Sequence, residues 1–344
     1  MNKQIPKMND PFVDRLAYIL PWGRSMTNDQ EALLGPVSRR IAKAIETGVC
    51  KRAYVNGGRY RENIRIELDD GSAAFVQIGA LQPDRQKGGI RVVVNPARFK
   101  SGDADYLNKS MRSIVGKAYY DLMEAPLINN VDFAVDISNG ILDKMIVLYK
   151  NAQRYTMFGK RIDAQGHIEG YNFGSLSSDY MAVVYDKQRE RRHAALLSLL
   201  KNGARTESLK SNVVRQFLQG KAEQTRVRVE VRGKKMRGLP LCKLNTLPNR
   251  FERFIFCDLD SDGSELPPYI KEAFLALCRQ NGVKAALANF KHTEWVRMVN
   301  AYFRTREATW WRPAPLWQQA CDAVREIGLF PEAAFHERKL RSGN

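Results

Sequence analysis

The sequence predicts an α+β fold: one central antiparallel sheet with inserted helices, followed by a mostly helical C-terminal segment. Three observations carry this. Short apolar segments of strand period recur between residues 62 and 94 and again between 132 and 232. Helix-period stripes interrupt them at 29–46 and 103–124. After about residue 245 the pattern turns mostly helical, in a stretch that holds four of the five tryptophans. At 344 residues the chain has room for one large domain or two ordinary ones.

Residues 1–28 read as an irregular lead-in. In 29–46, Leu33, Leu34, Val37, Ile41 and Ile45 fall on one side of a helix. In 62–69, Ile64, Ile66 and Leu68 alternate with polar residues, and Asp70-Gly71 predicts a turn into a strand at 73–79. A strand at 90–94 ends at Asn95-Pro96. The helix at 103–124 carries Leu107, Met111, Ile114, Val115, Ala118 and Leu122, with Pro126 just beyond it. Residues 132–136 read as a strand and 140–150 as a short helix. A hairpin follows around 154–175, with Gly159 and Gly166 as turn residues, then a strand at 180–185 and helices at 188–201 and 206–219. In the strand 225–232, Val227, Val229 and Val231 alternate with Arg226, Arg228, Glu230 and Arg232. The expected division is a lead-in over 1–50, a main domain over 51–240 and a helical region over 241–344.

Lys and Arg number 55 against 37 Asp and Glu, a net charge of +18. Such a surplus favours a polyanionic partner through phosphate neutralisation and counterion release. No stretch approaches the length of a membrane span, and the first residues lack the apolar run of a secretory signal. The five cysteines form no Cys-x-x-Cys pair, which predicts reduced, mostly core thiols in a cytoplasmic protein without structural zinc.

Tyr185 stands at a predicted strand end, with Lys187 two residues on and on the same face. A phenol with an ordinary pKa of about 10 needs a nearby cation or metal to act as a nucleophile. The competing reading is a tyrosine that plugs the end of a sheet. Asp132 and Asp136 share a strand face but lie roughly 13 Å apart, too far to hold one ion on a straight strand. Glu230 sits in a row of arginines. If its strand neighbours that of the aspartates, Asp132, Asp136 and Glu230 offer hard oxygen ligands suited to Mg²⁺ or Mn²⁺. Cross-strand ion pairs are the alternative. The stretch 187–237 is strongly basic, and Arg189, Arg191, Arg192, Arg226, Arg228 and Arg232 are candidates for DNA phosphates, set against a merely solvated face. No His-x-His pair, Walker loop or Gly-x-Ser-x-Gly elbow occurs.

Four segments in this order carry a family resemblance: Ile-Arg-Val-Val-Val-Asn-Pro at 90–96, Val-Asp-Phe-Ala-Val-Asp at 131–136, Phe-Gly-Ser-Leu-Ser-Ser-Asp through Tyr-Asp-Lys-Gln-Arg-Glu at 173–190, and Arg-Val-Glu-Val-Arg at 228–232. Together they resemble the trans-acting Rep family of rolling-circle plasmid replication initiators, with relatives among phage replication proteins and relaxases. The resemblance spans roughly 55–240 and implies a Rep nickase-like sheet. It implies site-specific nicking and joining of one DNA strand at a rolling-circle origin. Tyr185 would be the nucleophile forming a 5′-phosphotyrosyl link, with Lys187 beside it and Asp132, Asp136 and Glu230 as the acids that hold the metal. Implied partners are origin DNA, single-stranded or extruded as a hairpin, a host helicase and a second copy of the chain, packed through apolar C-terminal helices. Residues 241–344 would then serve DNA specificity or dimerisation. Tyr180 is a candidate second tyrosine, and Trp310 and Trp311 are either base-stacking platforms or core. Competing functions are a non-catalytic origin-binding or regulatory protein, a relaxase of a conjugative element, and a metal-dependent nuclease that activates water.

Overall fold

The computed structural model describes residues 5–22, 27–55, 57–69, 71–86, 89–152, 155–158, 169–175, 177–191, 194, 226–259 and 266–337. Most of the helices expected at 188–201 and 206–219 lie outside the described residues, as do Arg192, Gly159 and Gly166. The fold is α+β, with a large antiparallel sheet and a helical C-terminal region.

In chain order the strands begin with β1 (Lys7–Met8), β2 (Phe12–Leu20), β3 (Lys51–Arg52), β4 (Tyr60–Glu67), β5 (Ala73–Ala80) and β6 (Ile90–Val94). Then come β7 (Leu127–Ser138), β8 (Met145–Tyr149), β9 (Tyr155–Phe158), β10 (Gly170–Phe173) and β11 (Tyr180–Asp186). The last are β12 (Arg226–Gly233), β13 (Leu239–Pro240) and β14 (Phe254–Asp258). The helices are α1 (Thr27–Glu46), α2 (Pro83–Gln86), α3 (Asp103–Val115), α4 (Tyr119–Met123), α5 (Pro268–Asn281), α6 (Val283–Phe290), α7 (Val296–Thr305) and α8 (Leu316–Glu326).

The chain forms two compact units, each gathered from three separate stretches. One comprises Met1–Asp10, Ala134–Val231 and Asn249–Leu316, and the other Pro11–Phe133, Arg232–Pro248 and Trp317–Asn344. We call them the first and second unit.

The second unit orders its strands β3-β4-β5-β6-β2-β7. Ile64 and Ile66, Ala74, Val76 and Ile78, and Ile90, Val92 and Val94 are all buried, the alternation that the sequence predicts for this sheet. Leu34 of α1 lies on Gly79 of β5, close enough that a Cβ there would meet its Cδ2 at 2.7 Å. The expected irregular lead-in is corrected here. Phe12–Leu20 is a strand paired with β6, and Leu16, Ala17, Tyr18, Ile19 and Leu20 are all buried. A strand covered on both faces reads as a continuous apolar run without alternation, so it escapes a period-2 search.

The single helix expected over 103–124 is two. Gly116 takes a φ of 94° and a ψ of −158°, a backbone region open essentially only to glycine, and it closes α3 before α4 begins. Arg40 of α1 donates from Nη1 to the carbonyls of Val115 (2.8 Å) and Ile114 (3.2 Å), satisfying the last carbonyls of α3. A Cβ on Gly116 would stand 2.7 Å from that Nη1. Gly116→Ala is therefore expected to cost about 1–3 kcal/mol from the backbone alone, and more if Arg40 is displaced. A urea titration that leaves the midpoint unmoved would show that neither constraint matters.

The first unit orders its strands β7-β12-β11-β10-β9, with β1 paired to β7 and a separate ladder of β8 and β14. Residues 140–150, expected as a helix, form one 3-10 turn at Leu142–Lys144 followed by β8. Met145, Ile146 and Val147 are buried together, and the pairing with β14 decides strand over helix. Against this ladder α5, α6 and α7 bury Phe274, Cys278, Ala286, Phe290, Val299 and Tyr302 together with Ile146 and Cys257. These apolar faces pack within the unit. Trp311 is buried, its ring 4.8 Å from Phe256, and Trp310 lies 5.4 Å from the same ring. Trp311 is core packing, and Trp310 is half-buried beside it. Cys50, Cys257, Cys278 and Cys321 are buried, and burial pushes the last three thiols up to about 12. Among the described residues, no helix is long and apolar enough to cross a membrane.

Candidate active site

The first unit places β12 between β7 and β11, so the strands carrying Asp136, Glu230 and Tyr185 are neighbours. Arg228 and Glu230 are two apart on β12 and therefore share a face. Toward β11, the Tyr185 hydroxyl donates to Glu230 Oε1 at 2.5 Å. Toward β7, Arg228 donates from Nε to Asp136 Oδ1 at 2.7 Å and from Nη2 to Oδ2 at 3.1 Å, a two-pronged pair. Arg226 Nη1 stands 3.5 Å from the same carboxylate. One sheet face thus carries a phenol, a carboxylate, a guanidinium and a second carboxylate in sequence across three strands.

Tyr185 shares its face with Met181 and Val183, and the three are buried as a cluster. Its cross-strand partner on β10 is Gly170, which has no side chain to lie beside the ring. Just beyond it, Asp186 Oδ1 accepts from the backbone N–H of Gln188 (2.9 Å) and Arg189 (3.0 Å). This is a helix cap, and it turns the chain from strand into the helical residues 187–191. The cap holds Lys187 at the strand end. Its Nζ donates to the Tyr185 hydroxyl oxygen at 3.5 Å and to Glu190 Oε2 at 2.7 Å, with the side chain 15% exposed. The sequence held a signal for this cap, an aspartate between a strand and a basic helical stretch, but it was not read as one.

Tyr185 is 7% exposed and its partner Glu230 is 1% exposed. Packing on both faces of β12 closes in what read as a polar face. Arg228, a candidate for DNA phosphates, is buried on Asp136, and Arg189 bridges Asp186 and Asp143, each at 3.4 Å. Arg226 keeps 35% exposure and Arg191 is exposed. Asp132 and Arg232 belong to the second unit. There Lys234 has its ammonium pKa lowered by burial and by Arg232, with Asp132 acting in the opposite sense.

No group of three or more side chains able to hold a metal ion, Asp132, Asp136 and Glu230 included, occurs among the described residues. The donor set as arranged does not fit Mg²⁺ or Mn²⁺, hard cations that take six or more oxygens. Asp136 commits both oxygens to Arg228, and Glu230 Oε1 accepts the Tyr185 proton donor. Moving Asp136 onto a cation would leave Arg228 buried without this carboxylate, at a cost of about 3–5 kcal/mol.

Tyr180 opens β11, with the Arg250 guanidinium 4.4 Å from its ring centre. Burial pushes its phenol pKa up, opposed by Arg250. No carboxylate accepts its hydroxyl among the described residues, so it lacks the base that Tyr185 has.

No protein-family model and no curated protein matches the sequence. Among solved structures, a rolling circle replication initiator protein from Geobacillus stearothermophilus is similar over 66% of this chain and 75% of its own, at 13% identity and a TM-score of 0.33. A likeness of that size says nothing of what this chain does.

Proposed function

We propose that the chain is a replication initiator that nicks and rejoins one strand of origin DNA, with Tyr185 as nucleophile and Glu230 as its base. The observation that carries this reading is the 2.5 Å hydrogen bond from the Tyr185 hydroxyl to Glu230, with the Lys187 ammonium 3.5 Å away on the same oxygen. A phenol is a weak nucleophile until a base takes its proton, and a neighbouring ammonium steadies the phenolate that results. As the phenolic oxygen attacks the scissile phosphorus, its proton passes to Glu230. The new bond joins Tyr185 to phosphorus, the bond from phosphorus to the 3′ oxygen breaks, and that oxygen takes a proton from water to become a free 3′-hydroxyl. The reverse attack by a 3′-hydroxyl returns the proton to Tyr185 and reseals the strand. The net charge of +18 favours the polyanionic substrate. Single-stranded or hairpin-extruded DNA is the substrate that exposes one phosphodiester to so enclosed a phenol. The same chemistry would serve a relaxase of a conjugative element.

A second reading has its own observation. A tyrosine 7% exposed and bonded to a buried carboxylate is also how a sheet end is closed in a DNA-binding protein that cuts nothing. The two separate on a denaturing gel. Wild type incubated with a labelled single-stranded oligonucleotide should carry label through denaturation. Tyr185→Phe should carry none while still shifting the DNA on a native gel. Wild type without a labelled band, tested with and without Mg²⁺ or Mn²⁺, would leave only the binding reading.

A further inference from the structure

The second unit holds a cleft of about 690 Å³ between the ends of β4, β5 and β6 and the turn after β12. Arg59, Arg85, Arg91 and Arg237 line it, together with Tyr60 and Gln86, and no carboxylate does so among the described residues. Arg59, Arg85 and Arg237 are exposed, and Arg91 is half-buried. We propose that this cleft is a second phosphate-binding site, one that grips the backbone of single-stranded DNA with residues other than those of the tyrosine site.

The way Arg91 is held is the main support. Asn63, Gln77 and Arg91 sit directly across from one another on β4, β5 and β6. Arg91 Nη1 donates to Gln77 Oε1 at 2.7 Å, and Gln77 Nε2 donates to Asn63 Oδ1 at 2.9 Å. Asn63 Nδ2 in turn donates to the Tyr60 carbonyl at 3.4 Å. A row of neutral amides therefore orients the guanidinium without neutralising it. Arg228 shows the contrast, since its orientation comes from the Asp136 carboxylate. Arg59, Arg85 and Arg91 have no ion-pair partner among the described residues, and Arg15 adds a like charge felt by Arg91. Gln86 Nε2 donates to the Arg59 carbonyl at 2.9 Å, which ties α2 to the rim. The Tyr60 hydroxyl lies beside Gln86, Arg91 and Arg59 and adds a neutral donor.

Guanidinium forks match phosphate oxygens two at a time. Several of them around one opening, with no acid among them, suit successive phosphates better than a carboxylate ligand. The site shares with the proposed function only a DNA partner, since it includes no residue of the tyrosine site.

The test uses the full chain and fluorescence anisotropy with a labelled single-stranded oligonucleotide over a salt series. Arg59→Glu/Arg85→Glu changes two exposed side chains. Lys284→Glu/Arg297→Glu, also exposed, makes the same change in net charge outside the cleft. The cleft pair is expected to weaken binding at least about tenfold at low salt. It should also flatten the slope of log K against log salt by about 1.4, for two lost contacts at about 0.7 each. The control pair should do neither. Equal losses in both pairs, or an unchanged slope in the cleft pair, would overturn the proposal. So would displacement by a nucleoside triphosphate at the same phosphate concentration, which would make the site a nucleotide pocket. If wild type forms no tyrosyl adduct but the cleft pair alone weakens binding, the nicking reading fails and this site stands. If adduct forms normally and the slope is unchanged, the reverse holds.

Discussion

Glu230→Gln is expected to slow formation of the tyrosyl–DNA adduct by about 10²–10⁴-fold, the range for loss of a positioned general base. The glutamine keeps the volume of the side chain and an oxygen able to accept the Tyr185 hydroxyl, so the strand contacts of β12 persist. What it loses is the capacity to take a proton. The Tyr185 phenol would then have to lose its proton with no base on its hydroxyl to receive it. Single-turnover labelling of the protein, timed by quenching, reads this directly. An unchanged rate would show that the proton leaves by another route and would remove Glu230 from the mechanism. A lost rate accompanied by a lowered unfolding midpoint would call for repeating the measurement on Glu230→Asp, which restores the charge at a shorter reach.

Asp136→Ala is expected to destabilise the protein by about 3–5 kcal/mol, the cost of leaving one member of a buried pair without the other. Both its carboxylate and the Arg228 guanidinium are buried, and the geometry is two-pronged with distances of 2.7 and 3.1 Å. Arg226, with 35% exposure, can turn to water when its acid is removed, whereas Arg228 is enclosed. Urea denaturation followed by circular dichroism measures the effect. A loss under about 1 kcal/mol would place the pair in the class of exposed ion pairs and would mean that water reaches Arg228. The double variant Asp136→Ala/Arg228→Met should recover much of the stability, because it removes the isolated charge as well as its partner.

The fold was legible where local pattern and tertiary role agree. The strand 90–94 is observed with those bounds, and the strands carrying Tyr185 and Glu230 fall within a residue of expectation. Phe12–Leu20 was missed because burial on both faces erases the alternation by which strands announce themselves. Residues 145–149 were missed because their strand character comes from β14, more than a hundred residues later. Within the site, the residues are visible in the sequence, while the adjacency of their strands enters there only as a condition and is seen in the sheet order. The sequence did not supply the pairing. That Arg228 would turn to Asp136 and Glu230 to Tyr185 depends on the register of distant strands, and a side chain in a row of arginines shows nothing of which neighbour it will meet.

Interleaving of the two units has a consequence for how the protein is made. β1 pairs with β7 across some 130 residues, with Lys7 opposite Ser138, and β12 enters its place between β7 and β11 only after the long stretch that follows Tyr185. The first unit also requires residues as far along as Leu316. During synthesis at about 5–20 residues per second, Tyr185 therefore emerges seconds before the carboxylate that would accept its proton. On the proposed chemistry, a nascent chain stalled short of Glu230 would lack the base for this tyrosine, and the pair would assemble only once late-arriving segments have closed their long loops.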